Sequence, residues 1–220
     1  MSDNLIVERQ TVDADESVKR RQILDGARSV FLTRGFDAAS MADIAKAADV
    51  SKGTLYVYFK SKEELFSAIV QQECGTQAEV AFRLDENDRD VAAVLTRLGF
   101  EFITFLTNPR KASSLRIVIA IADRMPEIGK AFYLAGPACG IGRLKAYLDG
   151  QVRAGMLAIE DTEVAAAQFL EACQATLFKP VLFNFSSPPA EKQIRHVVEM
   201  AVRVFMAAYQ VQSRAIHGTV

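Results

Sequence analysis

Apolar residues recur along this chain at intervals of three and four, with polar residues between them. That spacing gathers them on one side of a helix, and the strict alternation of a half-buried strand is absent. The pattern predicts nine helices and an all-α protein. Ser17 to Arg34 reads as the first, with Ile23, Ala27, Val30 and Phe31 facing inward. Gly35 ends it by permitting a left-handed backbone, and Phe36 folds back onto the core. Residues 1–16 are polar and acidic and are expected to form a flexible arm.

Ser40 to Leu65 reads SMADIAKAADVSKGTLYVYFKSKEEL. Ser40 with Asp43 marks a helix start, since the hydroxyl can accept from a free backbone N–H and the acid sits at the positive dipole end. Ile44, Ala45 and Ala48 give a short apolar face, which Asp49-Val50 interrupts. Ser51 then caps a second short helix with Leu55 and Phe59 on its inward side. Ser61 and Glu64 form a capping box that opens a third helix at Lys62. Two short helices joined by a tight turn make a helix-turn-helix, and the second is the one that lies in a DNA major groove.

Beyond it, the helix from Lys62 runs through Phe66, Ile69 and Val70 to about Phe82, followed by a charged loop over 84–90. Leu95, Leu98, Phe102 and Phe105 mark a strongly amphipathic helix from Val91 to Leu106. Asn108-Pro109 starts another, whose run from Leu115 to Ile121 should be buried. Pro126 opens the next, which is interrupted at Gly136-Pro137, continues through Ile141, Leu144 and Leu148, and ends at Gly155. Asp161 begins an Ala-rich helix to about Phe183, and Pro188-Pro189 precedes a last one through Tyr209.

Charge sharpens this picture. The chain of 220 residues has a formal net charge of −1, yet residues 17–64 carry nine Lys and Arg against six acids. A basic head on an acidic body suits a local DNA contact, not a protein that coats DNA. Cys74, Cys139 and Cys173 are too few and scattered for a disulfide framework or zinc site and read as buried thiols in a reducing compartment. The N-terminus has no signal-peptide pattern, and no uncharged run nears the roughly 18 residues that a membrane span requires. A cytoplasmic protein without membrane contact is expected.

The segment GTLYVYFKSKEEL, preceded by MADIAKAADVSK, resembles the DNA-binding signature of TetR-type transcriptional repressors. The likeness covers about residues 17–70, with spacing and residue types agreeing across three helices. One departure is Asp49, where the family usually has Gly; Asp tolerates a left-handed backbone better than most residues. ADRMPEIGKAFYLAGP and GMLAIEDTEVAAAQFLEA are similar to the C-terminal domain of the AefR-like branch. After the arm at 1–16, the resemblance implies a DNA-binding head at 17–64 and a helical bundle at 65–220 that binds an effector and dimerises. It further implies a homodimer whose last two long helices pair with those of a second subunit. Val197, Met200, Ala201, Val204, Phe205 and Ala208 line one helix face and Ala165, Phe169, Cys173 and Leu177 another. Such stripes also make ordinary core seams; the dimer is preferred because two-fold symmetry supplies a second half-site.

For the double-stranded DNA operator, the contact set is Ser40, Ser51, Lys52, Gly53, Thr54, Tyr56, Tyr58 and Lys62. Lys52 can donate to guanine O6 and N7, Gly53 lets the backbone come close, and Thr54 and Tyr56 reach base edges or thymine methyls. Tyr58, the Ser40 hydroxyl and Lys62 are assigned to phosphate. Packing inside the head is the other reading of each tyrosine. In the body, Phe102, Phe105, Phe132, Tyr133, Phe169, Cys173 and Phe178 are candidates for an apolar effector pocket. Arg124 either anchors a polar ligand group or forms a surface ion pair. The small-molecule effector is unidentified, and the rival regulator acts through protein partners with no ligand. An enzyme has little support: His196 and His217 are the only histidines, and neither a GxSxG elbow nor a phosphate-cradling glycine loop occurs. No cofactor or metal is expected.

Overall fold

The computed structural model describes the backbone of residues 2–81 and 84–211, with side chains over 16–72 and 84–211. The helices are α1 (Ser2–Ala38), α2 (Met41–Ala47), α3 (Lys52–Tyr58), α4 (Lys62–Ala81), α5 (Val91–Leu106) and α6 (Pro109–Ile121). There follow α7 (Pro126–Ala135), α8 (Pro137–Arg153), α9 (Thr162–Gln174), α10 (Phe178–Leu182) and α11 (Glu191–Tyr209). Among the described residues the one extended pairing is an isolated bridge between Leu157 and Gln210. Among them, too, no single helix is long and apolar enough to cross a membrane.

Among the described residues eleven helices stand where nine are expected, because two long ones break. The first break is at Gly136-Pro137, where Pro137 opens α8. The second separates α9 from α10 at Thr176, whose φ is +62°. Pro180 explains it: a proline inside a continuous helix loses a hydrogen bond and clashes with the preceding turn, whereas the first turn of a new helix accepts it. Helix α1 begins at Ser2 instead of Ser17, so residues 2–16 of the expected arm have helical backbone. Residues 2–25 contain neither Gly nor Pro to stop it. Gly35 does interrupt α1, with φ 76° and ψ 167°. That is a region nearly exclusive to glycine, and not the left-handed helical conformation expected there.

The chain groups into two compact units. The first holds residues up to Cys74 together with Arg116–Phe132. Its core contains Ile23, Leu24, Ala27, Phe31, Ile44, Leu55, Leu65 and Phe66. Phe31, Phe36 and Phe66 meet pairwise with ring centroids 5.4, 5.4 and 5.5 Å apart, so Phe36 does fold back as a core residue. Helices α1 and α2 approach so closely that a Cβ on Gly26 would lie 2.7 Å from the Ala48 backbone.

The second unit takes Gly75–Leu115 and Tyr133–Val220. Its core joins α5, α8, α9 and α11 through Leu95, Leu98, Leu144, Tyr147, Phe169, Cys173, Val198 and Phe205. Gly99 makes room for that packing: a Cβ there would stand 2.9 Å from Val198 and 3.0 Å from the Cys173 sulfur. Fully buried Gln151 donates from Nε2 to the carbonyls of Glu86 and Asp88, at 3.1 and 3.2 Å. The Tyr147 hydroxyl donates to the Asp88 carbonyl at 3.0 Å, and burial pushes its pKa up to about 12. The loop before α5 is thus tied down by side chains of α8.

The two apolar stripes read from the sequence are only partly buried. Ala165, Phe169, Cys173, Leu177, Ala201 and Phe205 are buried within the chain. Met200 and Val204 on α11 and Val164 on α9 remain exposed. Helices have two sides, and one repeat of apolar residues does not say which neighbour each side meets.

The α1–α2 contact gives a direct test. Gly26→Ala must push backbone against backbone, so it should cost about 1–3 kcal/mol and lower the melting temperature followed by far-UV circular dichroism.

Candidate nucleic-acid interface

The helix-turn-helix is built from local caps. Ser40 Oγ accepts from the Asp43 backbone N–H at 3.1 Å and donates to the Asp43 carboxylate at 2.6 Å. The Asp43 carboxylate accepts in turn from the Ser40 N–H, closing a capping box. The hydrogen bond from Ser40, followed by the attraction of Arg34, holds the Asp43 carboxyl below its ordinary pKa. Such a carboxylate supports the cap at neutral pH and lets go only in acid, as pH falls through its lowered value. Ala48 then closes α2, and the Gln22 side chain of α1 donates to the Ala48 carbonyl at 2.7 Å. Asp49 takes φ +51°, the left-handed turn residue that its position calls for.

Ser51 caps α3, accepting from the Thr54 N–H at 3.0 Å. Leu55 is fully buried and Phe59 nearly so. Four residues on the opposite side, Lys52, Gly53, Tyr56 and Val57, are exposed. Tyr56 is 51% exposed and Val57 82%. Tyr58 and Thr54 are half-buried at the flank, and the Thr54 hydroxyl pairs with that of Ser51 at 2.8 Å. A Cβ on Gly53 would meet only the Ser51 hydroxyl at 3.7 Å, so nothing inside the chain requires glycine there.

Val57 is a member of this surface that residue chemistry alone passed over. It lies four positions after Gly53 and next to Tyr56, so helical spacing from the polar face would have found it. An exposed branched apolar side chain is what a thymine methyl can pack against.

Lys62 departs from its expected role. Its ammonium donates to the carbonyls of Phe36, Asp37 and Ala39 at 3.0, 3.2 and 3.4 Å and lies 4.7 Å from the Phe36 ring centroid. Three donors directed at three carbonyls leave no N–H for a phosphate, so this lysine is a clamp on the α1–α2 turn. The Ser40 hydroxyl likewise directs its one proton to Asp43. Glu64 completes the α4 cap differently from expectation, since its carboxylate accepts from the Lys60 N–H while Ser61 accepts from the Glu64 N–H. In the basic first turn, Lys19 donates to Gln22 and Arg20 lies 5.2 Å over the Phe59 ring. Arg21 borders an open groove of about 560 Å³ between α1 and the end of α2.

The effector-pocket candidates are divided between the two units. Arg124 and Phe132 fall in the first unit and the other six in the second. Arg124 forms the ion pair that was its other reading, with both carboxylate oxygens of Asp37. Phe169 and Cys173 are packed in the core, where burial pushes the Cys173 thiol up to about 12. Tyr133 is 56% exposed, and Phe102, Phe105 and Phe178 are half-buried. Cys139 is half-buried, and the Cys74 side chain lies outside the described residues.

Comparison with known proteins agrees with this architecture. Residues 23–69 match the bacterial regulatory proteins of the tetR family, and residues 93–211 match the C-terminal domain of AefR-like transcriptional repressors. The HTH-type transcriptional regulator UidR of Escherichia coli is 42% identical over 73 residues, covering 33% of this chain and 34% of UidR. The chain spans about a third to a half of the length of the curated relatives it matches. Solved structures extend the likeness to nearly the whole chain. A TetR-family transcriptional regulator of Mesorhizobium loti superposes with a TM-score of 0.82 at 25% identity, over 89% of this chain and 98% of that one. The flavonoid-responsive regulator FrrA gives 0.78 at 29% identity, over 90% and 100%. Two family matches, one of them over more than half the chain, and a capped helix-turn-helix lead to the same assignment: this chain belongs to the TetR family of DNA-binding transcriptional regulators, in its AefR-like branch.

Proposed function

We propose that this chain is a dimeric repressor that sets α3 in the major groove of each operator half-site and leaves DNA when a small, mostly apolar effector binds. The observation that carries the DNA contact is the division of α3. Leu55 and Phe59 hold it from inside while Lys52, Gly53, Tyr56 and Val57 stand free on the other side. In the groove, Lys52 donates to guanine, Val57 and the Tyr56 ring meet thymine methyls, and bare Gly53 admits the DNA close to the backbone. Ser51, Thr54 and Tyr58 border this face and serve phosphate. Ser40 directs both its hydroxyl proton and its N–H to Asp43, so its part is to cap α2 beside this face.

TetR regulators act as dimers, and the exposed Met200, Val204 and Val164 are apolar positions that a second copy could cover. For the effector, support comes from the half-buried Phe102, Phe105 and Phe178 and from a structural neighbour named for its response to flavonoids. A ligand shifts DNA affinity only as far as it prefers the conformation that DNA does not. The dense packing of Phe169 and Cys173 favours a second reading, control through protein partners without a ligand.

Binding of the purified protein to DNA from its own promoter region, beside unrelated DNA and across a salt series, tests the function. Specific, salt-sensitive binding with a footprint of two symmetric half-sites is expected; equal weak binding to both DNAs speaks against it. Lys52→Ala should cost about 1–3 kcal/mol of specific binding. Gly53→Ala should have two opposite effects. It should stabilise the exposed helix by about 0.5–1 kcal/mol in thermal unfolding while weakening operator binding. Placing Glu at both Met200 and Val204 should shift the protein toward monomer in sedimentation velocity; an unchanged dimer would exclude that face. Finally, a panel of planar aromatic compounds should include one that weakens operator binding, and a panel without effect favours protein partners.

A further inference from the structure

The turn between α1 and α2 is gripped by two cations from distant parts of the chain. Lys62 of α4 holds its carbonyls, as described above. Arg124, which lies between α6 and α7, holds its side chain. The Arg124 guanidinium donates through Nη1 and Nη2 to the two Asp37 carboxylate oxygens, at 3.1 and 2.8 Å. Two parallel bonds from a planar fork fix direction as well as distance, which a single contact would not do.

Both ends of this fork are anchored. On the Arg124 side, the backbone N–H groups of Arg124 and Met125 both donate to the Ile121 carbonyl, at 3.0 and 2.9 Å. Val118, Ile121 and Ile128, which flank that turn, are buried. On the Asp37 side, Gly35 has just interrupted α1, Ala39 is buried, and Ser40 caps α2 three residues later. A displacement of Asp37 therefore reaches the start of α2 within one turn of chain. Both charged side chains are largely exposed, at 60% and 68%. Exposed pairs contribute little to fold stability, so the geometry has more bearing on position than on folding. Helices α6 and α7 each continue into the second compact unit.

We propose that the Asp37–Arg124 fork is a coupling latch: it sets the position of the α1–α2 turn, and through it the operator affinity of α3, from the turn between α6 and α7. Arg124 is then a positioning residue acting on the head and touches neither DNA nor effector. The inference rests on the operator-binding reading above.

The test uses the full chain and its promoter DNA, with Asp37→Ala, Arg124→Ala and the double variant. Each single change should weaken operator binding about threefold or more at low salt, with the melting temperature held within a few degrees. The double variant should be no weaker than the singles, because both remove the same contact. The slope of log affinity against log salt should stay that of the unaltered chain. A slope reduced by about one in Arg124→Ala would make this residue a phosphate contact and overturn the latch. Additive losses in the double variant, or unchanged affinity in both singles, would also overturn it. If Lys52→Ala abolishes binding while the latch variants bind normally, only the latch fails. If the unaltered chain binds no promoter DNA, the function and the latch fall together.

Discussion

The outward face of α3 depends on how closely α1 approaches the end of α2. Gly26 presents no side chain to Ala48, and one turn earlier Gln22 places its amide on the Ala48 carbonyl. Those two contacts fix where α2 stops. Asp49 then reverses the chain in a left-handed conformation, and Ser51 starts α3 at once. Buried Leu55 and Phe59 settle the rotation of α3 about its axis, and its outward face follows from that rotation alone. A contact that looks like plain packing thus determines which side chains a partner can meet.

The electrostatics of the head are more sparing than its composition implies. Arg34 pairs with Asp43, Arg28 with Asp25 and Arg124 with Asp37, while Lys62 faces three carbonyls and Arg20 lies on an aromatic ring. Several of the cations counted over 17–64 therefore hold the head together. Fewer remain to draw in a polyanion, so in the proposed complex specificity leans on shape and on the α3 face more than on bulk positive charge.

The parts of the fold legible from sequence are those set by neighbours in the chain. Ser40, Ser51 and Asp49 act within three or four residues, and each is found in the capping or turn role that its chemistry predicts. Pro180 carried an equally local signal, the break after α9, that the Ala-rich run around it masked. What could not be read is what long-range packing decides. Lys62 meets carbonyls more than twenty residues away, and Arg124 meets Asp37 across 87 positions. Gln151, polar yet fully buried, gives no sign in sequence that it ties down the loop before α5. Along α11 the apolar repeat is plain, but only the folded chain shows that Phe205 turns inward and Val204 outward.

The exposed Val57 beside Tyr56 has a thermodynamic consequence. Apolar surface held in water carries ordered hydration, and covering it releases that water with a fall in heat capacity. In the proposed complex, α3 thus contributes two terms that answer to different variables. The Lys52 term weakens as counterions are added, whereas the Val57 term weakens on cooling. An operator read in this way would be held by warmth as much as by charge, and the two could be separated by calorimetry at several temperatures and one ionic strength.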